Sequence, residues 1–370
     1  MFMSDKTSSF IAAVVVCLLL LTMGCIYITE ETAKSKAESK EKMSTGVAPP
    51  GEEAAQPEAE FEKQEAETPT GKAVTLALKF TPQDSTTYRL ITEAQKSVMW
   101  EGPLPEKPSA FKGGHTGNRI EMTFTQRIQS IDDKGDAVAE ITIKQLKYLA
   151  KVRDNVVLDF DSSREKDRDN LLSKLIGRSY TIEISAAGRV LKIVDVNEAQ
   201  AAVKGDSSAH KTASTLLSSD TIKQRHAILA LPVAEKNQLR KGDNWSDVAV
   251  FSFGMMGSKS YEKIYTLKEI KDTDNRQIAI IEMNAIPSSE MARKLHKEQA
   301  TGLFSKLFDS TETYTGELKL DLTAGKIEKY IEKLRTEWVA VDPFAGQEDD
   351  KEPAALKMAA TRLYHIEKID

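Results

Sequence analysis

Cysteine is nearly absent from this chain of 370 residues, which has only Cys17 and Cys25, both in its first apolar run. The rest of the sequence therefore cannot build a disulfide framework, a cysteine-ligated zinc site or a cysteine nucleophile. Catalytic motifs are lacking as well, since no G-x-S-x-G, H-E-x-x-H or P-loop occurs, and the five histidines lack metal-ligand spacing. We expect a protein that is not an enzyme and that uses neither a cofactor nor a metal.

An excess of positive charge is also lacking. The chain carries 51 Lys and Arg against 56 Asp and Glu, a net charge of −5. Residues 26–72 contain eleven Glu and six Lys, which accounts for the whole net charge of −5. Residues 73–370 therefore carry equal numbers of acidic and basic side chains. Nucleic-acid binding needs a basic patch that displaces counterions from phosphates. The sequence therefore indicates no nucleic-acid partner.

The acidic loop Asp159–Asn170 is the nearest approach to a metal-binding sequence. A calcium loop starting at Asp159 needs Gly where Arg164 stands and Glu where Asn170 stands. We therefore interpret it as a solvated loop.

The N-terminus carries the clearest signal. Lys6 precedes an uncharged run that ends in Gly24-Cys25, and a positive start, an apolar stretch and a small residue at the cut are typical of a secretory signal. This predicts a signal peptide over residues 1–25, cleaved between Gly24 and Cys25. The alternative is an uncleaved anchor, because Phe10–Ile28 is a run of 19 uncharged residues, long enough to span a bilayer. Either reading makes the folded part face outward from a membrane.

The Gly24-Cys25 pair resembles the lipobox of bacterial lipoproteins, although Thr22 and Met23 depart from its commonest form. The resemblance implies that Cys25 is acylated, that its lipid makes the membrane a partner, and that the protein belongs to the cell envelope. Ile26 rather than Asp follows the cysteine, which implies the outer membrane if the host has two membranes.

Residues 26–72 predict a disordered tether. They are rich in Glu, Lys, Ala and Pro, with Tyr27 and Phe61 as their only aromatic residues. Such a segment cannot bury enough apolar surface to offset the entropy of ordering. As a coil it would span roughly 40 Å.

From Ala73 onward, alternating apolar and polar residues predict strands. Two pairs of segments repeat: residues 128–143 parallel 267–283, and residues 171–190 parallel 303–327. We predict a mainly β protein, with internally duplicated antiparallel sheets in an open or closed barrel-like fold with capping helices.

The predicted organisation has two halves, residues 73–196 and 245–370, joined by a helical connection over residues 197–244. Helices are expected at 197–203, 208–229 and 288–307. Strands are expected near 74–80, 86–99, 119–131, 137–149, 156–160, 179–185, 189–195, 246–253, 258–271, 276–285, 312–322, 326–341 and 358–368.

The whole-chain pattern resembles uncharacterised bacterial envelope lipoproteins that carry a domain of unknown function. Besides the lipobox and the tether, the resemblance rests on "KGDNW" at residues 241–245 and on Ala-Gly hairpins at 187–188 and 324–325. The predicted architecture is distantly similar to the lipoprotein-carrier class, in which an open antiparallel sheet wraps helices over an apolar cavity. Neither resemblance implies catalytic residues.

Met255 and Met256 stand between glycines at a predicted hairpin tip. With Trp100 they are candidates for the mouth of an apolar cavity, and the alternative is core packing under a loop. The function expected first is therefore a binding module for an apolar or amphipathic ligand such as a lipid. The alternative is a structural or interaction lipoprotein that docks other envelope components.

Replacing Cys25 with Ser tests the lipid anchor. We expect the wild-type protein, extracted from its native membrane, to lack residues 1–24 and to carry added acyl mass. Intact mass should show no acyl addition in the Cys25→Ser variant, because acylation requires the thiol. An unprocessed wild-type mass would instead establish the uncleaved anchor.

Overall fold

The computed structural model describes residues 70–102, 113–273, 275–288, 308–341 and 355–369, without the side chains of Thr70, Met255 and Val341. These ranges contain the strands β1 (Thr70–Thr75), β2 (Ser85–Glu101), β3 (Gly114–Ile131), β4 (Ala137–Val152), β5 (Asn155–Asp161), β6 (Ser179–Ile184), β7 (Val190–Asp195), β8 (Gln238–Lys241), β9 (Asn244–Ser252), β10 (Ser258–Thr273), β11 (Arg276–Pro287), β12 (Asp309–Asp321), β13 (Lys326–Val341) and β14 (Ala355–Lys368). The helices are α1 (Asn197–Ala202), α2 (Ser208–Leu216) and α3 (Ser219–His226).

Twelve strands form one antiparallel sheet in the order β7-β6-β4-β3-β2-β14-β13-β12-β11-β10-β9, with β5 added beside β4. The mainly β, antiparallel prediction is confirmed. Strand β14 pairs with β13 on one side and β2 on the other, so both halves share one sheet. The sheet is open, because the described strands leave β7 and β9 as its two edges.

The two halves repeat the same meander. The pairing path β2-β3-β4-β6-β7 recurs as β9-β10-β11-β12-β13. The register of the β3–β4 hairpin shifts between Ile128 and Ser130, and that of β10–β11 shifts between Leu267 and Glu269. Ile128 and Leu267 begin the two sequence segments that parallel each other, so the repeated hairpins share the position of a bulge.

The tips of two equivalent hairpins hold the segment that follows β1. Gly188 and Gly325 have φ of +73° and +65° at these tips. Leu78 N donates to Ala186 O at 2.8 Å, and Lys79 N donates to Gly325 O at 3.0 Å. The predicted strand at 74–80 is therefore wrong after residue 75. The chain leaves β1, which pairs with β8, and docks on the tips instead.

The sheet curls until its edges approach each other. Arg189 Nη2, just before β7, lies 4.0 Å from Asp247 Oδ2 on β9. In the second half, the Phe253 ring lies 5.2 Å from that of Trp338 on β13. Trp245 Nε1 also donates to Ala230 O, so the connection after α3 lies against β9.

Helix α1 packs on β6 and α3 packs on β7, whereas α2 contacts α3 and residues 171–175. The single helix predicted over 208–229 is wrong, because Ser218 interrupts it and caps α3 by accepting a hydrogen bond from Thr221 N. Helix α3 then ends at His226. The helix predicted over 288–307 lies outside the described residues. No helix in the described ranges is both long and apolar enough to span a bilayer.

Gly325→Ala tests the docking of the β12–β13 tip, with Gly135→Ala as its control. Both glycines have positive φ, so an added Cβ should cost about 1–2 kcal/mol of unfolding free energy at either site. At Gly325 that Cβ would also collide with the backbone and side chain of Lys79, whereas at Gly135 it would meet no atom within 4 Å.

We expect Gly325→Ala to lose about 1–3 kcal/mol more than Gly135→Ala, because the segment after β1 must move. Urea denaturation measures both losses. Equal losses would show that the segment does not press on the tip.

Candidate functional site

The inner face of the sheet is defined by the phase of β2. Tyr88 and Leu90 are 6% and 1% exposed, and β2 pairs with β14 without a register shift. Successive side chains alternate between faces, so residues of the same parity share one face along the whole strand. Lys96, Val98 and Trp100 therefore face inward with Tyr88 and Leu90.

The burial of the inward-facing side chains decreases from one end of the strands to the other. Near the packed end, Met122, Phe124 and Ile141 are completely buried. Toward the other end, most inward-facing residues of the four central strands are only partly buried, although Leu356 and Ala360 of β14 remain buried. We call this surface the inner trough; it consists of Ala94, Lys96, Val98 and Trp100 of β2, Asn118 and Ile120 of β3, Tyr148 and Ala150 of β4, and Met358 and Arg362 of β14.

Two cations lie next to each other in the inner trough. Lys96 stands opposite Ala360, and Arg362 stands opposite Ala94, which makes the cations diagonal neighbours on adjacent strands. The Arg362 guanidinium lies 4.7 Å from the centre of the Phe251 ring. Burial, and then the positive charge of Arg362, lower the pKa of Lys96. The trough thus combines apolar surface with concentrated positive charge.

The β9–β10 hairpin tip borders the inner trough. A Cβ on Gly254 would lie 3.8 Å from Lys96 Nζ. Met256 is only 9% exposed and belongs to the core, which agrees with the alternative of core packing under a loop. Phe253 and Trp338, whose rings contact each other, belong to the same core cluster. The side chain of Met255 lies outside the described residues.

Of the candidate residues, Trp100 lies in the inner trough and Met256 beneath the neighbouring hairpin. Trp100 is partly buried and stands opposite Leu356. Sequence reasoning missed Lys96 and Arg362. The sequence did contain a signal for Lys96. This charged residue lies an even number of positions from Tyr88 and Leu90, so it falls on the same face of the strand as these apolar residues. Nothing local pointed to Arg362 as its neighbour.

A buried carboxylate organises the second half. Glu332 accepts hydrogen bonds from Tyr314 at 2.8 Å, from Tyr265 at 3.3 Å and from Tyr330. Lys263 Nζ lies 3.5 Å from Glu332 Oε1, and the lysine side chain is 1% exposed. Burial, and then the negative charge of Glu332, raise the pKa of Tyr330. Because the carboxylate is balanced by a cation and three donors, we interpret this network as structural.

A second buried network lies between α3 and the first half. His226 Nε2 is 2.6 Å from the Tyr180 hydroxyl, which Arg225 Nη1 also contacts at 3.3 Å. The Phe124 ring meets the imidazole edge to face at 4.8 Å. Burial, and then the charge of Arg225, hold the pKa of His226 well below 6.5. Because Arg225 donates to the Tyr180 oxygen, we assign the Tyr180 hydroxyl as the donor to Nε2 of the neutral imidazole.

Neither of two other hollows in the described ranges has room for a large ligand. The first, beside His226 and Phe124, has a volume of about 40 Å³, enough for very few waters. The second, about 180 Å³, lies around Arg119, Glu121 and Arg164.

The acidic loop at the second hollow neutralises itself. Arg164 pairs with Asp159 at 3.0 Å and with Asp167 at 2.6 Å. Asp167 is 9% exposed, so this part of the loop is buried rather than solvated. Within the described ranges, no three His, Cys, Asp or Glu side chains are grouped to hold a metal ion.

The fold and this surface define a mainly β protein with one curled, open sheet and a partly covered inner face. Residues 134–327, just over half of the chain, match the Family of unknown function (DUF6263), and the chain belongs to that family. No curated protein matches it.

Two solved structures show distant likeness. One is described as "lipid-protein interactions in lipovitellin": it is 11% identical, with a TM-score of 0.36, over 79% of this chain and 26% of that one. This chain thus spans about a quarter of the lipovitellin chain. The other is DynF from the dynemicin biosynthesis pathway of Micromonospora chersina, 6% identical with a TM-score of 0.15, over 81% of this chain and 90% of that one. At these TM-scores neither likeness assigns a function.

The depressed pKa of His226 predicts acid sensitivity. The folded state disfavours the protonated imidazole, so the stabilisation is fully present above pH 6.5 and is lost as pH falls from 6.5 toward the folded pKa. We expect the free energy of unfolding, measured by urea denaturation, to fall over this range and His226→Gln to flatten the fall.

The flattening should be partial, because burial also lowers the pKa of His365. A His226→Gln profile parallel to the wild type would contradict the prediction.

Proposed function

We propose that this protein is a non-catalytic binding module that holds an apolar or amphipathic ligand in the inner trough. The observation that carries the proposal is the uneven cover of the inner face. Among the described residues, that face is filled beneath the helices and inside the curl of the second half, whereas most inward-facing side chains of the trough are only partly buried. Apolar side chains and two cations meet there, a combination that suits an amphipathic ligand.

The ligand would lie along the sheet rather than in an enclosed chamber. Ligand cavities for small molecules usually measure about 300–1,000 Å³. The two hollows of about 40 and 180 Å³ in the described ranges are smaller. The expected cavity beneath residues 197–229 is replaced there by packed side chains such as Ile222, which is fully buried. Covering exposed apolar surface contributes about 25 cal/mol per Å².

The proposed module is tethered to the cell envelope through a lipid on Cys25, facing away from the cytoplasm. Cys25 and residues 26–69 lie outside the described residues, whereas residues 70–72 of the predicted tether belong to β1. The sequence pattern supports this part of the proposal. A tether of roughly 40 Å would let the trough reach ligands at the membrane surface.

A protein-docking function is the second candidate. Val152, Val156 and Val157 at the β4–β5 hairpin are 43%, 56% and 60% exposed. Neighbouring exposed apolar side chains of this kind are typical of contact with another protein. In this alternative, the protein would dock other envelope components.

Val98→Gln tests the ligand site, with Met99→Gln as its matched control. Val98 faces the inner trough, whereas Met99 is on the outer face and 53% exposed. A polar amide should weaken binding of the neutral apolar probe N-phenyl-1-naphthylamine by about tenfold at position 98, because the amide must be buried without a partner.

Probe fluorescence gives the Kd for full-length protein held in a non-ionic amphipol. Met99→Gln should bind as the wild type does, and thermal unfolding confirms that both variants are folded. If the wild type does not bind the probe, the ligand proposal fails and docking through the exposed valines becomes the better candidate. Equal binding by both variants would also exclude the trough as the ligand site.

A further inference from the structure

Lys96 differs from the other inward-facing lysines near it. On β10, Lys259 pairs with Glu312, and Lys263 lies 3.5 Å from a carboxylate oxygen of Glu332. In contrast, no described carboxylate lies within ion-pair distance of Lys96. Buried charges in proteins are generally paired, because an uncompensated charge in a poorly hydrated site is costly. The inner trough therefore has a place for an anion.

A second cation reinforces this place. Arg362 is the diagonal neighbour of Lys96, and Phe251 covers its guanidinium at 4.7 Å. Cation–π contact positions a guanidinium, and its planar array of N–H groups suits a carboxylate or a phosphate. The like charges disfavour each other, as the lowered pKa of Lys96 shows. An anion between them would relieve this repulsion.

The apolar part of the trough continues from the cations in one direction. Val98 and Trp100 follow Lys96 on the same face of β2. At the rise of a β-strand, Lys96 and Trp100 are about 13 Å apart. On the outer face the corresponding positions are Gln95 and Ser97, which are polar, and the exposed Met99. Charge followed by apolar surface therefore belongs to the inner face.

We propose that the inner trough binds a single-chain amphiphile with an anionic head group, a carboxylate or a phosphate, held between Lys96 and Arg362 with its chain along Val98 and Trp100. This inference rests on the proposed binding function and adds the chemical class of the ligand. The cations select the head group, and the apolar stretch binds the chain.

The test compares ligands with the same 18-carbon chain and different head groups, and adds inorganic phosphate as an anion without a chain. Oleate, oleoyl lysophosphatidate, oleyl alcohol and inorganic phosphate compete with N-phenyl-1-naphthylamine for full-length protein in a non-ionic amphipol. We expect oleate or the lysophosphatidate to bind about tenfold more tightly than oleyl alcohol. Inorganic phosphate alone should not displace the probe.

Three variants assign the preference to Lys96. Lys96→Met keeps the apolar stem and should reduce affinity for the preferred anion about tenfold, with oleyl alcohol and the neutral probe unaffected. Lys96→Arg keeps the positive charge and should retain the preference for the anionic ligand. Lys357→Met removes a lysine from the outer face of β14, where it pairs with Glu101, and should change nothing.

The outcomes separate this inference from the proposed function. If Lys96→Met binds the probe and each oleyl ligand as tightly as the wild type does, the trough binds apolar chains and the head-group assignment is overturned. If displacement by inorganic phosphate matches that by the anionic lipids, the site recognises a free anion and the inference is also overturned. If neither the probe nor the oleyl ligands bind, both proposals fall.

Discussion

The pairing of β14 with β2 is the interaction on which the rest of the structure depends. Residues 355–368 align with residues 88–101 in one uninterrupted antiparallel register. This ladder joins a strand from the beginning of the fold to a strand from its end, so forming it closes a very long loop of the chain. Its hydrogen bonds make one sheet out of two similar meanders, and its phase decides which side chains face inward. Without it, Lys96 and Arg362 would belong to separate surfaces.

The two halves fill their inner faces by different means. The first half is covered by α1, α2 and α3, and the neutral His226 joins α3 to Tyr180. The second half curls on itself, with tyrosine hydroxyls and Lys263 gathered around Glu332. In each filling, the buried polar groups of these two networks have partners. The inner trough lies over the central strands, where neither filling completely covers the sheet.

Much of the fold could be predicted from the sequence because its signals are local. Alternation with a period of two marks strands such as β3 and β10, and Asp, Gly and Asn mark the turns between them. The interruption at Ser218 also had a local signal, since serine is a strong N-cap. The apolar pattern continues on both sides of Ser218, however, and therefore predicted a single helix. Core packing was one of two readings of Met256, and the sequence could not choose between them, because Phe253 and Trp338 of the same core cluster meet only when the sheet curls.

The sequence by itself determined the strands, their inward and outward phases, the repeated meander and the charge balance of the folded part. Each of these follows from neighbours along the chain, and a charged Lys96 in an apolar phase was visible at that level. Only the tertiary structure decided that β14 lies beside β2, that Arg362 stands diagonal to Lys96, and that the inner face is left partly covered there. Strand order and curvature come from contacts between residues distant in sequence, and such contacts have no local signature.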